Sequence, residues 1–175
     1  MTLQLHNKLI LRPICDADLA LLCEVYSSTR KTEMDRLENW TDTQKESFLK
    51  QQYNAQYAWY RSNYKNAHFW VLERKNTSIG RLYLDEDYEN SIRIIDITLL
   101  PEWRNKGLGE SILGSIIEFA SLKKKPVTIH VESFNPAKKL YERLGFKVIH
   151  ETNGVYHLME RKVAHYKQKK EVPYL

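Results

Sequence analysis

Two spacings of apolar side chains alternate along this chain, and each change of spacing marks an element. Residues 8–14, KLILRPI, predict a first strand that ends at Pro13. Asp16 then serves as a helix N-cap, with Leu19, Leu22, Cys23 and Tyr26 at i, i+3, i+4 and i+7. The stretch from Thr29 to Trp40 mixes charges with Met34 and Leu37 and follows neither period. Thr43 and Glu46 form a T-x-x-E capping box that opens a helix running to about Asn63. Two stripes of that helix carry aromatics among glutamines: Phe48, Gln52, Ala55, Trp59 on one, Leu49, Tyr53, Gln56, Tyr60 on the other. Such a helix either packs through tyrosines or walls a substrate site.

Three strands follow, His68–Glu73, Ser78–Asp85 and Ser91–Leu99, joined by polar turns at Lys75–Thr77 and Asp87–Asn90. Pro101 stops the last one, and the turn Arg104-Asn105-Lys106-Gly107-Leu108-Gly109 leads into a helix striped by Leu108, Ile112, Leu113, Ile116, Ile117 and Ala120. Lys123, Lys124 and Lys125 close it; three cations at a helix C-terminus suit its dipole better than they suit a nucleic-acid patch. Pro126 introduces a strand at Val127–Glu132. Ala137, Leu140, Tyr141 and Leu144 stripe a short helix ended by Gly145, and Asn153-Gly154 turns a final hairpin between Phe146–His150 and Val155–Arg161. The residues from 164 to 175 form a polar tail, so residues 1–163 are expected to make a single domain.

Composition narrows the class. A 42% hydrophobic chain of 175 residues can bury a core of its own. It has no apolar run long enough for a membrane span and no signal-peptide pattern, so a cytoplasmic location is expected. Cys15 and Cys23 lack metal-ligand spacing and are expected to be free, buried thiols, with no metal site. The formal charge of +5 suits a polyanionic partner of either kind, nucleotide cofactor or nucleic acid.

The turn at 104–109 has the chemistry of an anion site. The first amides of a helix lack intrahelical acceptors, the macrodipole adds partial positive charge, and glycines at 107 and 109 admit a close ligand. Arg104 and Lys106 add full charges. The longer pattern Arg104-x-x-Gly107-x-Gly109 after an apolar strand resembles the acetyl-coenzyme A motif of the GNAT superfamily of N-acetyltransferases. A second block, from Asn135-Pro136-Ala137 through Leu140-Tyr141 to Gly145-Phe146, is similar to that family's N…A…LY…GF segment, with Asn135 one residue nearer to Tyr141 than in its commonest form. The resemblance spans residues 68 to 160 most strongly. It implies an α+β sandwich: a mixed, mostly antiparallel sheet of about seven strands, flanked by about four helices. The strands at 91–99 and 127–132 are splayed, so that the pantetheine arm lies between them like a substitute strand. Ile97, Leu99, Arg104, Asn105, Lys106, Gly107, Leu108, Gly109, Asn135 and Ala137 would then bind acetyl-coenzyme A.

Acetyl transfer to an amine needs a lone pair on nitrogen, a donor for the oxyanion and help for the leaving thiolate. The resemblance gives Tyr141 the acid role; the alternative is that it packs or touches coenzyme. Strand alternation puts His130 and Glu132 on one face, and the family's ribosomal-protein acetyltransferases carry a catalytic glutamate at the position of His130. Histidine can act as a base near neutral pH, with Glu132 orienting it and raising its pKa; both could equally be structural. Asp96, an aspartate in an aliphatic strand, is either a base or a hydrogen-bonded anchor. The implied function is acetyl-coenzyme A-dependent N-acetylation of a small-molecule or exposed peptide amine, with a homodimer left open and no membrane partner. A catalytically silent coenzyme A-binding domain is the alternative. Nucleic acid is disfavoured, because the basic residues are dispersed and no reading motif is present.

Overall fold

A computed structural model describes residues 2–163. Its seven-stranded sheet runs β1-β2-β3-β4-β5-β7-β6, built from β1 (Leu9–Pro13), β2 (His68–Arg74), β3 (Thr77–Tyr88), β4 (Ser91–Leu99), β5 (Val127–Glu132), β6 (Lys147–Thr152) and β7 (Tyr156–Arg161). Neighbours are antiparallel except β4 and β5. Five α-helices accompany it: α1 (Leu19–Ser27), α2 (Lys31–Asp35), α3 (Asp42–Asn63), α4 (Leu108–Leu122) and α5 (Lys138–Arg143). This is the expected α+β arrangement with one helix more, because α2 forms in the stretch that showed no period. None of the described helices is long and apolar enough to cross a membrane.

The main core lies between the sheet and α4. Leu108, Ile112, Leu113 and Ile116 of α4 pack on Leu82, Leu84, Ile92, Ile94, Val127 and Ile129. Each fully buried side chain of this kind contributes about 1.5–3 kcal/mol. The opposite face of β2–β4 carries α1 and α3, with Leu22, Tyr26, Tyr53 and Val71 in a second cluster. The sheet therefore separates two compartments, and strand alternation decides which residue serves which.

Several local expectations are corrected. The α1 entry is organised by Asp18, whose carboxylate accepts the Cys15 amide at 2.8 Å and two Arg12 hydrogen bonds, rather than by Asp16. A guanidinium so placed holds the Asp18 carboxyl well below its ordinary pKa. The capping box of α3 is Thr41 with Gln44, two residues before the predicted pair; Thr41 has the extended backbone an N-cap needs. Of its two stripes, Leu49-Tyr53-Gln56-Tyr60 turns inward, while Trp59 is exposed. Lys123 and Lys125 reach back to Glu86 and Asp87 at the end of β3, which explains two of the three terminal lysines without a nucleic acid. Cys15 is exposed and Cys23 half-buried, both free thiols, so burial of the pair does not hold. The predicted tail, 164–175, lies outside the described residues.

Candidate active site

The parallel pairing of β4 with β5 is short: Ile92 with Val127, Arg93 with Thr128, Ile94 with Ile129, and then the strands part. At that point β4 carries a β-bulge. Tyr83 pairs with Asp96 and Leu84 with Ile94, leaving Ile95 as the extra residue. The bulge shifts the alternation by one. Ile92 and Ile94 point to α4 before it, Ile97 and Leu99 after it, and Asp96 joins Arg93 on the α3 side. Beyond the bulge the backbone of residues 95–99 on the β5 side has no strand partner, so Ile97 and Leu99 line one wall of a fork. Gly80 makes this possible from the other side. A Cβ there would stand 2.2 Å from the Thr98 carbonyl oxygen, so only glycine lets β3 support the end of β4 this closely.

At the mouth of the fork the turn before α4 winds through left-handed Asn105 (φ 56°) and Gly107 (φ 74°, the N-cap). The first hydrogen bond into the helix runs from Ser111 N–H to Gly107 O, and no side chain caps it. The amides from Asn105 to Glu110 therefore have no protein acceptor among the described residues, a ring of donors suited to a diphosphate. Leu108 anchors this turn in the core. Arg104 does something other than expected. Its Nε donates to Leu99 O at 2.8 Å and its Nη2 to Ser28 Oγ at 2.7 Å, tying α1 to the end of β4 rather than reaching into the turn. Lys106 lies over the Trp103 ring at 5.5 Å.

The other wall comes from β5 and α5. Asn135 Oδ1 accepts the Ala137 amide at 2.9 Å, so that side chain shapes the start of α5. Tyr141 is buried against Phe146, ring centroids 5.8 Å apart, on the same side of the sheet as α4. Its hydroxyl has no protein partner among the described residues and is not one of the sealed polar atoms. Burial first, and the Asp96 charge second, push its pKa upward, so the phenol keeps its proton.

The α3 side of the fork holds the polar residues, and arginines that the sequence motifs did not single out organise all of them. Asp96 is gripped by Arg81, Nε to Oδ1 at 3.1 Å and Nη2 to Oδ2 at 2.7 Å, and also accepts from Thr98. Arg81 donates further to Gln56 of α3. This makes Asp96 the anchor of the two readings expected of it. His130 and Glu132 do share a face, but no hydrogen bond joins them. Glu132 pairs with Arg30 at 3.3 Å, and His130 Nδ1 lies 3.1 Å from Arg93 Nη1. Guanidinium can only donate, so Nδ1 accepts and the neutral ring carries its proton on Nε2. The expected rise in the His130 pKa is overturned: partial desolvation of the otherwise exposed ring, the Arg93 cation and His150 push it below the ordinary value. The available signal was arginine inside apolar strands, at IGRLYL and SIRII, where a charge needs a buried purpose.

Residues 65–148 match the family described as acetyltransferase (GNAT) domain. Among solved structures, the PaiA N-acetyltransferase of Thermoplasma acidophilum in complex with coenzyme A is 23% identical, with a TM-score of 0.63 over 88% of this chain and 98% of that one. An acetyltransferase from Thermus thermophilus is 18% identical, with a TM-score of 0.63 over 90% and 99%. RimL, a ribosomal alpha-N-protein acetyltransferase in complex with coenzyme A, is 14% identical, with a TM-score of 0.60 over 92% and 97%. These likenesses are of fold. A segment of 70 residues, 40% of this chain, is 34% identical to the cysteine-rich protein 2-binding protein of Mus musculus and spans 9% of that protein's length.

Proposed function

From the match of residues 65–148 to the acetyltransferase (GNAT) domain, we propose that residues 1–163 act as an acetyl-coenzyme A-dependent N-acetyltransferase on a primary amine. The observation that carries the reading is the conjunction of the unsatisfied amides at 105–110, the fork beside Ile97 and Leu99, and the Tyr141 hydroxyl on the same side of the sheet. The co-substrate supplies a thioester and a diphosphate. The turn amides hold the diphosphate, and the unpaired backbone of residues 95–99, facing Asn135 and Ala137, aligns the arm. A β4 amide on the fork side donates to the carbonyl oxygen as charge develops there. Tyr141 stays protonated over the working range and donates to the departing sulfur.

The amine enters from the α3 side, the face that α4 leaves free. Of the two groups expected to take its proton, Asp96 is locked by Arg81 and the Nδ1 lone pair of His130 faces Arg93. Glu132, half-buried at the parting end of β5 and expected to orient His130, is held by Arg30 through one oxygen only, at 3.3 Å against the two-pronged grip on Asp96. It is the carboxylate we assign to receive the proton.

Release of free thiol from acetyl-coenzyme A, measured across a panel of amines, tests the reading. Tyr141→Phe should lower turnover about 10²-fold while calorimetry shows coenzyme binding little changed. Coenzyme binding without thiol release for any amine would favour the catalytically silent alternative. Failure to bind coenzyme A at all would remove the cofactor assignment.

A further inference from the structure

Arg93 lies on the α3-side face, 4% exposed. A cation withdrawn this far from water is ordinarily matched by a carboxylate. Arg93 has no ion pair among the described residues. Nε donates to Thr128 Oγ1 at 2.9 Å, Nη1 to His130 at 3.1 Å, and the guanidinium lies 4.8 Å from the Tyr88 ring centroid. Asp85 is its cross-strand partner, but that carboxylate accepts the Asp87 amide and stands beyond ion-pair distance. Nη2 has no protein partner among the described residues, and it is not one of the sealed polar atoms, so the remaining donor keeps a window to solvent. Beside it, exposed His130 presents Nε2–H, since its Nδ1 is occupied. Two donors, one charged, thus flank the last paired rung before the fork, Ile94 with Ile129.

We propose that Arg93 and His130 form an anion subsite in the acceptor cleft, so that the amine acetylated here bears a carboxylate or phosphate. The proposal rests on the reading that acceptor approaches on the α3 side. Glu132 lies two residues along the same strand face, about 7 Å from His130; Arg30 contacts only its Oε1, and the other oxygen would draw the ammonium while Arg93 draws the anion. An acceptor with both charges within that reach is oriented at both ends; a simple alkylamine is held at one. His150 on β6 is the other titratable group that acts on His130; Asp85 and Tyr88 on β3 and Tyr64 just past α3 surround Arg93, and Glu160 on β7 stands across from Thr128. His150 and Arg93 disfavour the imidazolium, and a bound anion reverses that balance.

Two measurements decide it. First, amines of matched length ending in carboxylate, phosphate or carboxamide are compared by kcat/KM. The anionic members should exceed the carboxamide about 10- to 100-fold, and Arg93→Met should erase the preference, while Arg93→Lys, which keeps the charge without the fork, retains part of it. Second, the His130 titration is followed by NMR in the whole protein with inorganic phosphate or propionate. Its pKa should rise by about one unit with at least one of them, and not in Arg93→Met. Whichever anion acts identifies the group. Equal turnover of carboxamide and anionic amines, or a His130 titration indifferent to both anions, overturns the subsite and leaves acetyl transfer standing. Absence of thiol release with every amine overturns the enzymatic reading instead, and the NMR titration then still decides the subsite by itself.

Discussion

Arg81 and Arg93 stand on neighbouring strands, face the same compartment and are withdrawn from water to the same degree, 2% and 4% exposed. Their surroundings differ. Arg81 meets Asp96 through two parallel hydrogen bonds, is braced by Gln56, and has Tyr53, Tyr60 and Tyr83 around it. Arg93 meets a hydroxyl, an imidazole and an aromatic face, with no carboxylate. One charge is neutralised inside the protein, and the other is left for something outside it. The first arrangement holds the end of β4 in place where the fork begins. The second sets the field that an incoming ligand meets.

Replacing each arginine by methionine should separate these roles by the largest margin. Arg81→Met strands the buried Asp96 carboxylate and should cost about 3–5 kcal/mol, lowering Tm by about 10 °C. Adding Asp96→Leu should recover much of that loss, because no unpaired charge then remains. Arg93→Met strands no charge and should cost about 1 kcal/mol or less. Equal losses in the two single variants, measured by urea or thermal unfolding, would mean that Arg93 is a structural cation like its neighbour.

Alkaline pH offers a second contrast. Burial raises the pKa of Tyr53 to about 12 and moves Tyr60 and Tyr83 upward as well. In the unfolded chain these phenols ionise near ~10, so the unfolded state loses protons first as pH rises. Their contribution is complete below pH ~10 and is lost as pH climbs through the folded values. The urea midpoint should therefore fall steadily above pH ~10. Tyr53→Phe should weaken that slope, and an unchanged slope in the variant would remove Tyr53 from the account.

Much of this was legible in the sequence, and the exceptions share a cause. Strand and helix periods located the sheet, α4 and α5, since those elements bury one regular face. The anion turn was legible because glycines at 107 and 109 sit between an apolar strand and an apolar helix. Even the bulge is written in IRIIDITLL, where the apolar phase slips from 92 and 94 to 97 and 99, although periodicity alone did not announce it. Side-chain partners across strands were not legible. His130 and Glu132, two apart on one face, look like neighbours in the sequence; folding hands each to an arginine, one on β4 and one just past α1. Arg104 read as a phosphate ligand because its reach back to Leu99 and Ser28 depends on where α1 ends. Pairings of that sort are set by packing between distant segments, and no local pattern encodes them.

The smallest expected effect concerns hydroxyls beside Arg81. Among the described residues, Tyr83 OH and Tyr53 OH are sealed from solvent without a protein partner, as is Arg81 Nη1. An unpaired buried hydroxyl costs free energy, so its removal without loss of ring volume should relieve the structure. Tyr83→Phe keeps the contacts with Phe69 and Tyr60, ring centroids 4.7 and 6.0 Å away, and should be neutral or stabilising by at most about 1 kcal/mol. The corresponding change beside Arg93, Tyr88→Phe, removes a hydroxyl that is not sealed and should move stability by less than about 0.5 kcal/mol. A clear loss of stability in Tyr83→Phe, against no change in Tyr88→Phe, would show that an internal water bridges the Tyr83 hydroxyl to Arg81 Nη1. The Arg81 site would then be a hydrated polar chamber, and its contrast with Arg93 would lie in the carboxylate alone.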